Sequence, residues 1–401
     1  MKKNTTDALL AFHDYTLERS GNDAVISLQI DFKKAFDMVN HSILLQKLKY
    51  YGIEGKAFEL LKSYLSNRHQ LTEIVINGVK VSSELALCLS GVPQGSLLGP
   101  LLFLIFINDL PFSLKSLGID IHIVIFADDT NIIIKGTNIL DKLFTIFLEL
   151  VKWCNVNQLP INFSKTIIIN LTPHIFFFEY FKFNETIIKV VNSSKYLGLK
   201  FDQLLLWDDQ ITQLTKKLNV QTFALRKIVN LLSKKYVSQF YHANFQSKIR
   251  YGIILWGSSS RINEILLAQK RAIRLIDNKP HNFPCRELFK KYKIMTVINL
   301  YIYETISCAI KAGYLNPKGL QPEHKWETRH HFHNPPKPKN MEKSCAEKRV
   351  HSIAVKLFNN LSGSLKTVFR KEGSTQFLFI LKQILTNTPC YSIKEFVENN
   401  M

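Results

Sequence analysis

Apolar and polar residues alternate along residues 24–31. Ala24, Ile26, Leu28 and Ile30 fall on one side, and Ser27, Gln29 and Asp31 on the other. A period of two predicts a half-buried β-strand. The spacing then becomes helical. Residues 42–51 read as a helix stopped by Gly52, because glycine suits the left-handed position that ends helices. Phe58, Leu61 and Leu65 line one face of a second helix. Residues 72–88 predict a hairpin turning at Asn77-Gly78.

Ser90 to Pro100 is a glycine-rich loop opening onto an apolar helix over 100–108. The arms IHIVIFA and TNIII flank Asp128-Asp129, which predicts a tight hairpin with the two acids at its tip. Residues 139–157 read as a helix with Trp153 in the core, and 165–171 and 186–201 contain further strands. This order predicts an α+β fold, with helices on one face of a mainly antiparallel sheet. From Asp208 the period is helical, with Ile211, Leu214, Leu218, Leu225 and Ile228 apolar and Lys216, Lys217, Arg226 and Lys227 interleaved. A further basic helix carries Lys270, Arg271 and Arg274. A boundary is expected near residue 207, giving domains 1–207, 208–320 and 321–401. The polar, proline-rich segment 329–340 reads as a linker despite its three histidines, and a last helical stretch is expected around 346–361.

Charge sharpens this division. The 401-residue chain has a net charge of +20. Residues 1–207 hold 20 Lys+Arg and 19 Asp+Glu, and residues 208–401 hold 32 and 13. A near-neutral first half and a basic second half suit chemistry in one and a bound polyanion in the other, although a lysine-rich surface has the same composition. The six cysteines, Cys88, Cys154, Cys285, Cys308, Cys345 and Cys390, include no C-x-x-C pair. That pattern argues against a zinc site or a disulfide scaffold and for a reducing intracellular compartment. The N-terminus has no apolar signal segment, and the greasy run Leu97–Leu110 is interrupted by Gly99, Pro100, Asn108 and Asp109, so no membrane is expected.

The candidate chemistry rests on three aspartates. Asp31 ends a strand, and Asp128 and Asp129 sit on a hairpin. Alone, the pair also suits an exposed turn. Uncompensated, the two adjacent acids repel each other and cost desolvation energy, penalties that a bound cation offsets. Nucleotidyl transfer uses such a set to hold two divalent ions roughly 4 Å apart. Phe36, five residues past Asp31, can lie under an incoming sugar and exclude a 2′-hydroxyl. The glycines of Ser90–Ser96 permit close backbone approach to a base pair or phosphate. Lys165, in Asn162-Phe163-Ser164-Lys165-Thr166, is either a proton donor to leaving pyrophosphate or an ordinary surface lysine.

LQIDFKKAFD, SGVPQGSLLGPLLFLIFINDLP, IFADDTNI, LPINFSKT and SSKYLGLKFD occur in this order. They resemble motifs A to E of reverse transcriptases from non-LTR retrotransposons, the Jockey and CR1-like LINE elements. The resemblance continues in IRYGIILWG, LLAQKRAIRLI and RVHSIAVKLFNNL. It implies a polymerase palm with partial fingers, followed by a mostly helical basic thumb and C-terminal region. It further implies RNA-directed DNA polymerase activity with two Mg²⁺ ions (Mn²⁺ as a substitute), an RNA template, a DNA primer and dNTPs, acting in the nucleus without a clear targeting signal. Asp31, Asp128 and Asp129 would bind metal. Phe36 would be the sugar gate, with Gln94 and Gly95 lining the nucleotide pocket and Lys165 the general acid. Tyr196, Leu197 and Gly198 would form the primer grip. Lys216, Lys217, Arg226, Lys227, Lys270, Arg271 and Arg274 would hold nucleic acid. Lys3–Leu10 resembles the end of a fingers region, so the expectation is a truncated chain without most of the fingers or an upstream endonuclease. Such a chain would be either active or a remnant that only binds nucleic acid. A group II intron maturase or an RNA-copying RNA polymerase is a further alternative. Phe36 opposes RNA synthesis, and the downstream segments favour the retrotransposon reading over the intron one.

Overall fold

A computed structural model describes residues 4–18, 23–315 and 349–398. The expected linker at 329–340 lies outside them. The chain divides into two compact units, residues 22–192 and residues 1–21 with 193–401. The boundary thus falls at 192/193 rather than near 207, and the N-terminal helix α1 (Thr5–Leu17) belongs with the C-terminal part. Aromatic packing accounts for both differences. Phe12 of α1 meets Tyr196 and Phe201 at ring-centroid distances of 5.4 and 4.8 Å, and Phe201 meets Trp207 at 4.9 Å.

The unit of residues 22–192 is built on β1 (Ala24–Ile30), followed by α2 (His41–Tyr50) and α3 (Gly55–Leu65). Asn40 caps α2, its Oδ1 accepting from the Ile43 amide at 3.1 Å. Two small exposed ribbons follow. In one, β2 (His69–Gln70) pairs with β5 (Ala86–Leu87); in the other, β3 (Glu73–Ile76) pairs with β4 (Val79–Ser82) through the expected Asn77-Gly78 turn. Both turn residues have positive φ, the geometry that matches strand twist in two-residue hairpins. Then come α4 (Leu98–Ile107), α5 (Leu110–Lys115), β6 (Ile121–Phe126), β7 (Asp129–Gly136), α6 (Ile139–Asn157), β8 (Ile167–Asn170), β9 (Tyr180–Phe183) and β10 (Thr186–Val191).

Six of these strands form one sheet in the order β6-β7-β1-β8-β10-β9, antiparallel throughout except for β8 and β10. Ile26, Leu28, Ile132, Ile134 and Ile168 share a core with Leu143, Ile146, Phe147 and Leu150 of α6 and with Leu102, Phe103 and Phe106 of α4. The α+β class follows from this arrangement. The expectation for β1 is corrected in one respect: the strand is buried on both faces, with Val25 and Ser27 fully inaccessible. It is a central strand, and the Ser27 hydroxyl is satisfied by Asn131 Oδ1 at 2.9 Å.

By length and composition alone, Leu98–Lys115 is apolar enough to cross a membrane. It forms α4 and α5. Leu102, Phe103, Phe106, Leu110 and Leu114 are buried, and Asp109 at the junction is paired with Lys47 at 2.8 Å.

In the other unit, β11 (Ser193–Tyr196) and β12 (Leu199–Asp202) form a hairpin, followed by α7 (Asp208–Ile228) and α8 (Lys234–Phe240). A π-helical turn (Tyr241–Gln246) leads to α9 (Ser247–Arg250), α10 (Ile253–Trp256), α11 (Ile262–Ile276), α12 (Arg286–Lys291) and α13 (Val297–Lys311). The expected last helix is present as α14 (Val350–Asn359). Three more follow it: α15 (Gly363–Lys371), α16 (Gly373–Asn387) and α17 (Ile393–Glu398). The five cysteines among the described residues are free thiols.

Candidate active site

Asp31 leaves the end of β1 and is fixed on both sides by the segment after α6. The Asn162 amide donates to the Asp31 carbonyl at 2.7 Å, and the Asn162 side chain donates to Asp31 Oδ2 at 2.8 Å. One residue on, Phe32 bridges Ile161, and the Lys33 amide donates to the Pro160 carbonyl at 2.8 Å. Asn162 therefore sets the Asp31 carboxylate, a role the sequence reading did not assign to it. Its signal was the short polar step after the Leu159-Pro160-Ile161 run.

The acidic hairpin differs by one residue from expectation. Phe126 pairs with Asp129, so the two-residue tip is Ala127-Asp128 and Asp129 is the first residue of β7. Ala127 takes the positive φ that the reversal demands, 53°. A left-handed residue with a Cβ costs roughly 1–2 kcal/mol, and such strain collects at functional sites. Asp128 and Asp129 are exposed, but protein atoms still crowd the Asp129 carboxyl. Desolvation first, then the charges of Asp128 and Asp31, push its pKa above the ordinary carboxylate value.

A cleft of about 650 Å³ opens beside these groups, lined by Asp31, Asp128, Asn162 and Lys165 among others. Lys165 is exposed there. Among the described residues, no three acidic, histidine or cysteine side chains close into a ready-made cage. The donor set nevertheless fits magnesium in kind. It offers hard carboxylate oxygens, and the repulsion on Asp129 is of the sort a cation relieves.

The loop after Asp31 is laced to the glycine-rich loop. Gly91 N donates to Val39 O, Val92 N to Phe36 O, and Ser90 Oγ to Asp37 O, at 2.8 to 2.9 Å. A Cβ on Gly91 would lie 2.8 Å from the Asp37 carbonyl oxygen, and φ there is +88°. Both facts require glycine. Gln94 donates to Asp37 Oδ1 at 3.1 Å, and Gly95 sits in open space at φ +81°. Phe36 is half-buried and stacks on Phe103, with ring centroids 4.7 Å apart.

The remaining predicted site residues lie in the other unit. Leu197-Gly198 is the turn between β11 and β12, with Tyr196 buried beneath it. Tyr251 Oη donates to the Leu197 carbonyl at 2.5 Å and tethers the turn. Lys216, Lys217, Arg226 and Lys227 all stand exposed on α7. On α11, Arg271 is exposed, while Lys270 and Arg274 are half-buried. The Lys270 ammonium sits 3.5 Å from the Tyr391 ring centroid, and Arg274 Nε donates to Phe283 O at 2.8 Å.

Comparison with known proteins identifies the family. The family described as reverse transcriptase (RNA-dependent DNA polymerase) matches residues 2–201. The chain is similar to the RNA-directed DNA polymerase from mobile element jockey of Drosophila melanogaster, 24% identical over 73% of this chain and 33% of that one. It is also similar to the probable RNA-directed DNA polymerase from transposon BS of the same organism, 29% identical over 67% and 30%. The chain spans about a third of the length of the curated relatives it matches. Among solved structures, apo telomerase from Candida tropicalis is 16% identical, with a TM-score of 0.40 over 75% of this chain and 50% of that one, too distant to inform the site. By its ordered motifs, its sheet and these relatives, the chain belongs to the reverse transcriptases of non-LTR, LINE-type elements.

Proposed function

We propose that this chain extends a DNA 3′-hydroxyl on an RNA template, joining deoxynucleotides with release of pyrophosphate. The observation that carries this reading is the convergence of the aspartates: Asp31 and Asp128 line one cleft, and Asp129 is close enough that desolvation first, then the charges of Asp128 and Asp31, raise its pKa. Asp31, Asp128 and Asp129 would hold two magnesium ions, which supply charge stabilisation to the attacking and leaving oxygens. Asn162 keeps the Asp31 carboxylate oriented. Phe36, braced by Phe103, lies under the sugar and excludes a 2′-hydroxyl. Gln94 and Gly95 meet the nucleotide and its template base. The primer hydroxyl gives its proton to solvent as its oxygen bonds to the α-phosphorus, the bond from that phosphorus to the bridging oxygen breaks, and Lys165 donates a proton to the departing pyrophosphate. The Leu197-Gly198 turn steadies the primer, and the α7 cations with Arg271 track the backbone. A nuclear place of action goes with this reading.

The test is primer extension by the purified chain on an RNA template annealed to a DNA primer, with dNTPs and Mg²⁺. Extension that vanishes in D128A/D129A is expected. No extension by the parent, with salt-dependent RNA binding retained, would make the chain a nucleic-acid binder only.

A further inference from the structure

The cleft beside the aspartates contains more positive charge than its proposed carboxylate chemistry uses. Besides Asp31 and Asp128 it is lined by Lys33, Lys34 and Lys165. All three lysines are exposed, and none forms an ion pair among the described residues. What sets them apart is their place: all three line one opening together with Asp31 and Asp128. Lys34 also holds an unusual backbone conformation, φ +44°, fixed because its carbonyl accepts from the Asp37 and Met38 amides at 2.8 and 3.0 Å. Lys33 is held by the hydrogen bond that its backbone amide donates to the Pro160 carbonyl. Two adjacent lysines are thus anchored at their backbones, with free ammonium groups at the mouth of an acidic site.

We infer that Lys33 and Lys34 grip the β- and γ-phosphates of the incoming deoxynucleoside triphosphate, with Lys165 on the same polyphosphate. The inference rests on the polymerase reading and adds the residues that bind the substrate's tail. A triphosphate suits this cleft in particular. Its metal-facing side needs carboxylates and its outer oxygens need cations, and the cleft presents both within one opening. Nucleic-acid backbone would need cations alone.

The experiment compares the parent chain with K33M/K34M, which keeps the aliphatic stems, and with K33R/K34R, which keeps the charge. The expected result for K33M/K34M is a KM for dNTP raised about 10-fold or more, since each charge-assisted contact is strong. Primer–template affinity should stay unchanged and kcat within a few-fold, and K33R/K34R should recover most of the loss. An unchanged KM, or a loss of primer–template affinity in parallel, overturns the assignment. Binding of inorganic tripolyphosphate to the same three proteins is measured by calorimetry. This arm does not depend on turnover, so it separates the two readings. If the parent does not extend a primer, weaker tripolyphosphate binding by K33M/K34M still supports the lysine site, and equal binding overturns it.

Discussion

The two units of this chain solve opposite electrostatic problems. Residues 22–192 carry 15 Lys+Arg against 15 Asp+Glu, while the remainder of the chain carries 37 against 17. The whole net charge of +20 therefore lies outside the unit that holds the three aspartates. The neutral unit is organised by a six-stranded sheet, whose register fixes Asp31 and the Ala127-Asp128 tip. The basic unit is mostly helical, and its cations stand on faces such as the exposed side of α7. Chemistry demands a few groups held to fractions of an ångström, which strand ends and tight turns provide. Holding a polyanion, the role proposed for the basic unit, demands many loosely placed charges, which long helices provide.

That contrast breaks most sharply at Asp31. D31N should lower extension about a thousand-fold or more, because metal-based stabilisation is worth several kcal/mol. RNA–DNA binding should stay within about 2-fold of the parent by filter binding. Next in size is the basic side. K216A/K217A/R226A/K227A should weaken binding roughly 10- to 100-fold at low salt and flatten the slope of log affinity against log salt by up to about four. An unchanged slope would remove α7 from the nucleic-acid path. A smaller effect is expected at Phe36. F36V should raise the efficiency of ribonucleotide over deoxynucleotide incorporation roughly 10- to 100-fold, read in competition assays.

The smallest effect is on stability. Desolvation and two neighbouring carboxylates raise the Asp129 pKa in the folded chain. Such a group stabilises the fold below its ordinary pKa, and that contribution is lost as pH rises through the raised value. At neutral pH without metal, D129N should therefore melt higher than the parent, by about 2 °C or less. The gap should close as the pH falls below the carboxylate range. A lower melting temperature for D129N would mean that Asp129 is not under electrostatic stress.

Much of this was legible in sequence where a local pattern dictates a local shape. The period-two run 24–31 placed Asp31 at a strand end, and Asn77-Gly78 specified its turn. The acids 128 and 129 marked a hairpin but not its register, because the pairing of Phe126 with Asp129 is set by the whole ladder. Alternation along β1 predicted one buried face. Only the sheet order shows it as a central strand buried on both. The grouping of α1 with the C-terminal unit depends on Phe12 meeting Tyr196 and Phe201, a contact between residues far apart in sequence. The helices after 361 are a different case. Phe377, Leu381 and Leu385 are buried at four-residue spacing along α16, so the signal was present in the pattern.

The most direct test pairs two readings on one preparation, with primer extension and RNA–DNA binding measured together for the parent and for D128A/D129A. The account predicts extension by the parent, none detectable by the double variant, and the same affinity and salt slope for both. A double variant that still extends, or that loses binding along with extension, would contradict the division of chemistry and holding between the two units.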